Sequence, residues 1–97
     1  MPAYLTLFNW TDQGIKNVKD TMMRAQAARE AWEAAGGRLI GIWWTQGQYD
    51  GAFIHETPDE ETATRLLMSL GMKGNVRTTT LRAFSEEETA RIIQGLP

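Results

Sequence analysis

Two adjacent tryptophans, Trp43 and Trp44, lie near the end of the apolar segment Leu39–Thr45. This segment is predicted to be a β-strand, because it is short and rich in isoleucine and tryptophan. Successive side chains of a strand point to opposite faces of the sheet, so one indole faces the helices that cover the sheet and the other faces away. The pair constrains the fold strongly, since one layer of helices cannot cover both rings.

The other predicted strands also carry large apolar side chains on both faces. In the first strand the alternation separates Leu5 and Leu7 from Tyr4, Phe8 and Trp10. In the second strand it places Leu39 and Gly41 on the face of Trp43, and Ile40 and Ile42 on the face of Trp44. In the third strand Phe53 and Ile54 lie on different faces. A sheet with helices on only one side would therefore expose a second apolar face.

The predicted elements follow the order β-α-β-β-α-β, with one short helix at the C-terminal end. The strands are predicted over Ala3–Trp10, Leu39–Thr45, Ala52–Glu56 and Val76–Ala83. A short helical turn capped by Thr11 or Asp12 is predicted first, followed by a main helix from Asp20 or Thr21 to Ala35. A second helix is capped by Thr57 or Asp59 and closed by Gly71–Gly74. A last helix runs from the capping box at Ser85 to about Ile93. This order indicates an α+β, ferredoxin-like fold with a four-stranded antiparallel sheet, as one domain over residues 1–97.

The face of the sheet without helices predicts a partner. A buried aromatic ring removes about 150–250 Å² from water, which at ~25 cal/mol/Å² is worth several kcal/mol as an upper bound. A few such rings outweigh a cost of association of ~4–15 kcal/mol. We therefore expect a homodimer packed sheet to sheet, on which higher oligomers could build. The alternative is that the C-terminal helix folds over this face.

Composition excludes several classes of partner. The 97 residues include no cysteine, which excludes disulfides and thiolate metal sites and is typical of a reducing cytosol, so a cytoplasmic location is expected. The formal net charge is −2 and the basic residues are scattered, which argues against nucleic acid and anionic membranes as partners. No signal-peptide pattern is present, and no apolar stretch approaches the ~18–20 residues of a transmembrane helix.

Four short segments carry a resemblance to a known family. They are Gly47-Gln48-Tyr49-Asp50 in the predicted hairpin, Trp10-Thr11-Asp12-Gln13-Gly14-Ile15-Lys16-Asn17, Gly36-Gly37, and the run from Gly74-Asn75-Val76-Arg77-Thr78 through Thr80-Leu81-Arg82-Ala83-Phe84. In order and spacing the chain resembles the GYD domain family, named for the Gly-x-Tyr-Asp element. The resemblance implies a dimeric α+β barrel. It implies little about activity, because the family is largely uncharacterised and related barrels serve many functions.

Three residues of the third strand and its hairpin are candidates for chemistry. His55, the only histidine, shares a strand face with Phe53 and could be a general base, a metal or haem ligand, or simply a hydrogen-bonded or edge-exposed histidine. Tyr49 and Asp50 could supply a phenol and a carboxylate to a pocket, or Tyr49 could pack on the sheet while Asp50 caps the turn. No second histidine or close cluster of carboxylates supports a metal site, and no cofactor is predicted.

Three further residues are candidates for ligand binding. Trp10 and Asp12 lie where the first strand meets the helices, as parts of a small-molecule pocket or as a hydrophobic staple and a cap. Arg77, on the strand face opposite Arg82, could hold an anionic ligand or pair with an acid.

These candidates support three hypotheses of function. The first is a homodimeric domain that binds a small, partly apolar molecule between sheet and helices, with Trp10, Asp12, Tyr49, His55 and Arg77 as candidate ligand-binding residues. The second is an enzyme of the cofactor-independent oxygenase or isomerase type, with His55, Asp50 or Tyr49 as its base. The third is a purely structural assembly module whose interior is packed solid.

Overall fold

The computed structural model describes residues 1–97 and contains a four-stranded antiparallel sheet with the strand order β2-β3-β1-β4. The strands are β1 (Ala3–Trp10), β2 (Arg38–Trp44), β3 (Gly51–Glu56) and β4 (Val76–Ala83). The helices are α1 (Asp12–Lys16), α2 (Thr21–Ala34), α3 (Glu60–Met72) and α4 (Glu86–Gln94), with one turn of 3-10 helix at Val18–Asp20. The predicted α+β, ferredoxin-like order β-α-β-β-α-β is confirmed.

The caps that the sequence left open are decided by backbone hydrogen bonds. Thr11 caps α1 by accepting from the backbone N–H of Gly14, and Asp59 caps α3 by accepting from the backbone N–H of Thr62. The capping box predicted at Ser85 is present, with Glu88 as its second member. Each cap satisfies N–H groups that the first turn of a helix leaves without a partner.

Helices α2 and α3 cover one face of the sheet. Trp32 of α2 packs between Phe8 and Phe53 of the sheet, and Leu66, Leu67 and Leu70 of α3 pack against the same cluster. Leu66, Leu67 and Leu70 form the apolar stripe of α3, and Ala25 and Trp32 are buried in the corresponding stripe of α2. Met22, about one turn before Ala25, is 62% exposed, because it lies in the first turn of α2, beyond the edge of the core.

A β-bulge in β2 changes which side chains face the helices. The pairing of β2 with β3 passes from Leu39 opposite His55 to Gly41 opposite Ile54, so Ile40 is the extra residue. The prediction that Leu39 shares a face with Trp43 is wrong, because one extra residue inverts the alternation. Leu39 and Trp44 instead face the helices, while the Trp43 indole lies over Gly41 on the opposite face. The prediction that the two indoles face opposite sides is confirmed.

Two segments that are distant in the sequence meet where β1 ends and β4 begins. The backbone N–H of Thr11 donates to the carbonyl of Asn75 at 3.1 Å, and the Thr11 hydroxyl donates to the carbonyl of Gly74 at 2.5 Å. Gly14 is so close to this turn that a Cβ would lie 1.9 Å from the Asn75 carbonyl oxygen. Only glycine fits there, and the contact fixes the end of β1 against α1 and β4.

The second face of the sheet, which we call the open face, is not covered by the chain. It presents Leu5, Leu7, Ile54, Leu81 and Trp43, of which Leu81 is 49% and Trp43 is 56% exposed. The alternative that the C-terminal helix covers this face is wrong, since every residue of α4 except Glu88 is itself exposed. None of the helices combines the length and the apolarity that crossing a bilayer requires.

Candidate functional site

A cavity of about 120 Å³ lies between the sheet and the N-terminal half of α2. Most of its lining is apolar and comes from all four strands or their ends and from both long helices. Trp10 of β1 and Trp44 of β2 form its aromatic walls, and Ala25 and Ala28 of α2 form the opposite side. The cavity exists because this half of α2 presents alanines, whose side chains are too short to reach the sheet.

Asp50 holds the Trp10 wall in place. Its carboxylate accepts a hydrogen bond from the backbone N–H of Trp10 at 2.9 Å, and its own backbone N–H donates to the carbonyl of Phe8 at 2.9 Å. These bonds join the β2–β3 hairpin to the end of β1. The carboxylate thus satisfies a backbone donor that would otherwise have no partner in the sheet. Asp50 supports the cavity from behind and does not line it.

The polar side chains of the cavity lining are neutral or cationic. They are Thr21 and Arg24 from α2, Lys73 from the end of α3, and Asn75 from the start of β4. No aspartate or glutamate lines the cavity. The site therefore combines an apolar interior with an electropositive lining, which suits a ligand that has one apolar and one anionic end.

His55 lies in the same protein layer but outside the cavity, and it is fully buried. The indole N–H of Trp32 donates to its Nδ1 at 3.0 Å, and its Nε2 lies 2.8 Å from the hydroxyl oxygen of Thr6. That hydroxyl is also 2.8 Å from the hydroxyl of Thr80. Because an indole N–H can only donate, Nδ1 accepts, and the neutral ring carries its proton on Nε2.

Burial lowers the pKa of His55 to about 4, so the imidazole is neutral at pH 7. Both ring nitrogens are already bonded to protein groups, and the Tyr4 ring stacks on the imidazole with centroids 5.4 Å apart. The imidazole therefore acts as a hydrogen-bonded link between α2 and the centre of the sheet.

The structure does not bring the six candidate residues of the sequence together. Trp10 lines the cavity, and Asp50 positions it. His55 is about 16 Å along β3 from Asp50, at roughly 3.3 Å per residue. Tyr49 is half-buried in the hairpin, and Asp12 is exposed at the start of α1. Arg77 is exposed and lies on the open face, opposite Asn9 of β1.

Sequence reasoning missed most of the residues that shape the site. Arg24, Lys73 and Trp44 line the cavity, and Trp32 and Thr6 hold His55. The sequence did contain one signal of a cavity, because α2 carries a row of small alanines and the strands carry large tryptophans. Volume complementarity depends on which side chains face each other, and this is known only once the register of β2 is known.

The sequence matches the family described as GYD domain over residues 4–93. The chain belongs to the GYD domain family. A curated relative from Thermus thermophilus, named a glutamine synthetase and cystathionine beta-lyase binding protein, is 30% identical over 84 residues. The alignment covers 86% of this GYD domain chain and 88% of the relative.

Solved structures share the fold of this GYD domain. MtbAldR matches with a TM-score of 0.67 at 12% identity over 88% of the GYD chain, which spans about half (53%) of MtbAldR. TTHA0845 from Thermus thermophilus matches with a TM-score of 0.54 at 23% identity, over 88% of this chain and 95% of that one. The C-terminal domain of MgtC from Mycobacterium tuberculosis matches with a TM-score of 0.55 at 14% identity, over 84% and 86% of the two chains. At these identities the likeness concerns the fold.

The stability of this GYD domain should fall as the pH is lowered, because of His55. The unfolded chain protonates histidine near pH 6.5 and the folded chain at about 4, so between these values the unfolded state binds more protons. Between pH 7 and pH 4.5 we expect the free energy of unfolding to fall by roughly 2 kcal/mol more in the wild type than in His55→Gln. Urea titrations of both proteins measure this difference. The carboxylates contribute equally to the two measurements, because both proteins contain them. An equal loss, or an imidazole NMR signal of the folded protein that titrates near pH 6.5, contradicts the assignment.

Proposed function

We propose that this GYD domain is a homodimeric domain that binds a small, partly apolar molecule in the cavity between α2 and the sheet. The observation that carries the proposal is the cavity itself, of about 120 Å³ with walls of Trp10 and Trp44. An apolar cavity of about 150 Å³ stays dry in a protein and can accept benzene. The cavity is therefore sized for one aromatic ring or one short branched chain, with the remainder of the ligand outside it.

A neutral aromatic probe tests this proposal. Toluene at about ten times its dissociation constant should stabilise the wild type by about 1.4 kcal/mol and raise its melting temperature by roughly 5–10 °C. Ala28→Leu should abolish the shift, because the larger side chain fills the cavity. Ala34→Leu, an exposed position of the same helix outside the cavity, should keep the shift. A wild type that gains no stability from toluene rejects the proposal.

The homodimer is proposed to form through the open face. Leu81 and Trp43 are about half exposed there, and Leu5, Leu7 and Ile54 are only partly covered. Nothing within the chain packs on these side chains, because α4 is exposed along almost its whole length. Since large contiguous apolar patches are rare on soluble monomers, a self-complementary contact between two open faces accounts for this surface.

The dimer is tested by the mass in solution. Sedimentation equilibrium at about 10 μM should give twice the chain mass of 10.9 kDa. Leu81→Lys should raise the dissociation constant of the dimer by about 30-fold or more, because it places a charge in the contact. Met68→Lys on the outer surface of α3, where the native side chain is 67% exposed, is the matched control and should leave the dimer unchanged. A wild type with the mass of one chain refutes the dimer.

A second candidate function is binding to a metabolic enzyme. It is favoured by the name of the Thermus relative and by the exposed apolar side chains of α4, Ile92 at 52% and Ile93 at 57%. An amphipathic helix whose apolar side chains are exposed suits a groove on a partner protein.

Enzyme binding is tested with purified glutamine synthetase and cystathionine beta-lyase from the source organism of the chain. The immobilised wild-type domain should retain at least one of them, and Ile93→Lys should weaken retention by about tenfold or more. Met68→Lys serves again as the control, since it adds the same charge to a different surface. If the wild type retains neither enzyme, this second function is wrong.

A further inference from the structure

The lining of the cavity holds two cations that have no acidic partner. Arg24 and Lys73 take part in none of the ion pairs of the chain, which join Arg38 with Glu56, Arg65 with Glu61, Arg82 with Glu88, and Arg91 with Glu87. In a chain with a formal net charge of −2, a cavity lined by two cations and no acidic residue is a local reversal of charge. Such a site attracts anions.

Arg24 is oriented by its neighbours and keeps free donors. Its Nη1 donates to the carbonyl of Asn17 at 2.9 Å, and its Nη2 lies 3.5 Å from the hydroxyl of Thr21. The remaining N–H groups of the guanidinium have no protein acceptor, so they can serve a ligand. An arginine held in this way has lost part of its conformational freedom before a ligand arrives.

The position of Arg24 in α2 adds to the positive potential. It is the fourth residue of a helix whose first turn contains no acidic residue, so it lies near the positive end of the helix dipole. A cation is not stabilised by the positive end of that dipole. Asp20, which precedes the helix, is not within ion-pair distance of Arg24. An anion bound beside Arg24 would therefore meet both the guanidinium and the positive end of the helix dipole.

Asn75 provides a further donor at the same place. Its Oδ1 accepts from Nε2 of Gln13 at 3.0 Å, and its Nδ2 group has no protein acceptor. Lys73 ends α3 immediately before the turn that leads to Asn75. The unpaired donors of α2, α3 and β4 therefore line one apolar cavity.

We infer that the natural ligand of this cavity is a small carboxylic acid that carries an aromatic or branched apolar group. The apolar group occupies the space between Trp10 and Trp44, and the carboxylate is bound by Arg24 and Lys73. A planar carboxylate suits the fork of a guanidinium. The inference rests on the proposed function, because it names the chemical class of ligand for the same cavity.

Two probes of equal size separate the charge from the apolar group. We would measure binding of 3-phenylpropanoate and of its neutral amide, 3-phenylpropanamide, by calorimetry at pH 7 and low salt. The acid should bind the wild type about tenfold more tightly than the amide. Arg24→Gln should remove most of that preference, and Lys73→Gln should have a smaller effect because Lys73 is more exposed than Arg24. Arg91→Gln, which removes the same charge from α4, should bind both probes as the wild type does.

The possible outcomes distinguish this inference from the proposed function. If the acid and the amide bind equally, the cavity is a ligand site without selectivity for carboxylates, and the inference alone is overturned. If neither probe binds, the inference fails, and the toluene measurement decides whether the proposed function fails with it. If Arg24→Gln lowers the melting temperature too far for calorimetry, two other measurements decide the outcome. They are the preference for the acid in Lys73→Gln and the preference of the wild type in roughly 300 mM salt, and both should be reduced. A preference that survives both the lysine variant and the added salt overturns the inference.

Discussion

The indole N–H of Trp32 donates to a neutral imidazole in the buried centre of the protein, and the position of α2 depends on this bond. Breaking it would leave either a buried donor or a buried acceptor without a partner, at a cost of about 1–3 kcal/mol. His55 passes the connection to Thr6 and Thr80, so one helix and three strands share a hydrogen-bonded line. Burial lowers the pKa of His55 to about 4, which keeps this line uncharged at pH 7.

The cavity follows from where α2 is anchored. The C-terminal half of the helix reaches the sheet through Trp32, whereas its N-terminal half presents Ala25 and Ala28 to the rings of Trp10 and Trp44. A helix held at a fixed height by a large side chain cannot collapse onto the sheet where its own side chains are small. The core and the candidate site are thus two consequences of one contact, and the cations of the lining are the basis of the proposed selectivity.

The sheet connects the proposed ligand site with the proposed assembly. Trp43 and Trp44 are neighbours in β2, yet one lies on the open face and the other lines the cavity. A dimer formed through the open face would rigidify the same strand that forms a wall of the cavity. The contact of Gly14 with Asn75 also shapes the cavity, because it fixes the turn that places Asn75 in the lining.

The amino-acid sequence alone determined the order of the elements, the antiparallel sheet, the two-sided placement of the tryptophan pair and the family, because these follow from local periodicity, capping residues and short motifs. It did not determine that Leu39 faces the helices, since one extra residue at Ile40 leaves no clear trace in the pattern of apolar residues. Nor did it show that Asp50 supports Trp10, that His55 is held by Trp32, or that Arg24 and Lys73 line one cavity. Those are contacts between residues far apart in the chain, and only the tertiary packing of α2 and α3 on the sheet decided them.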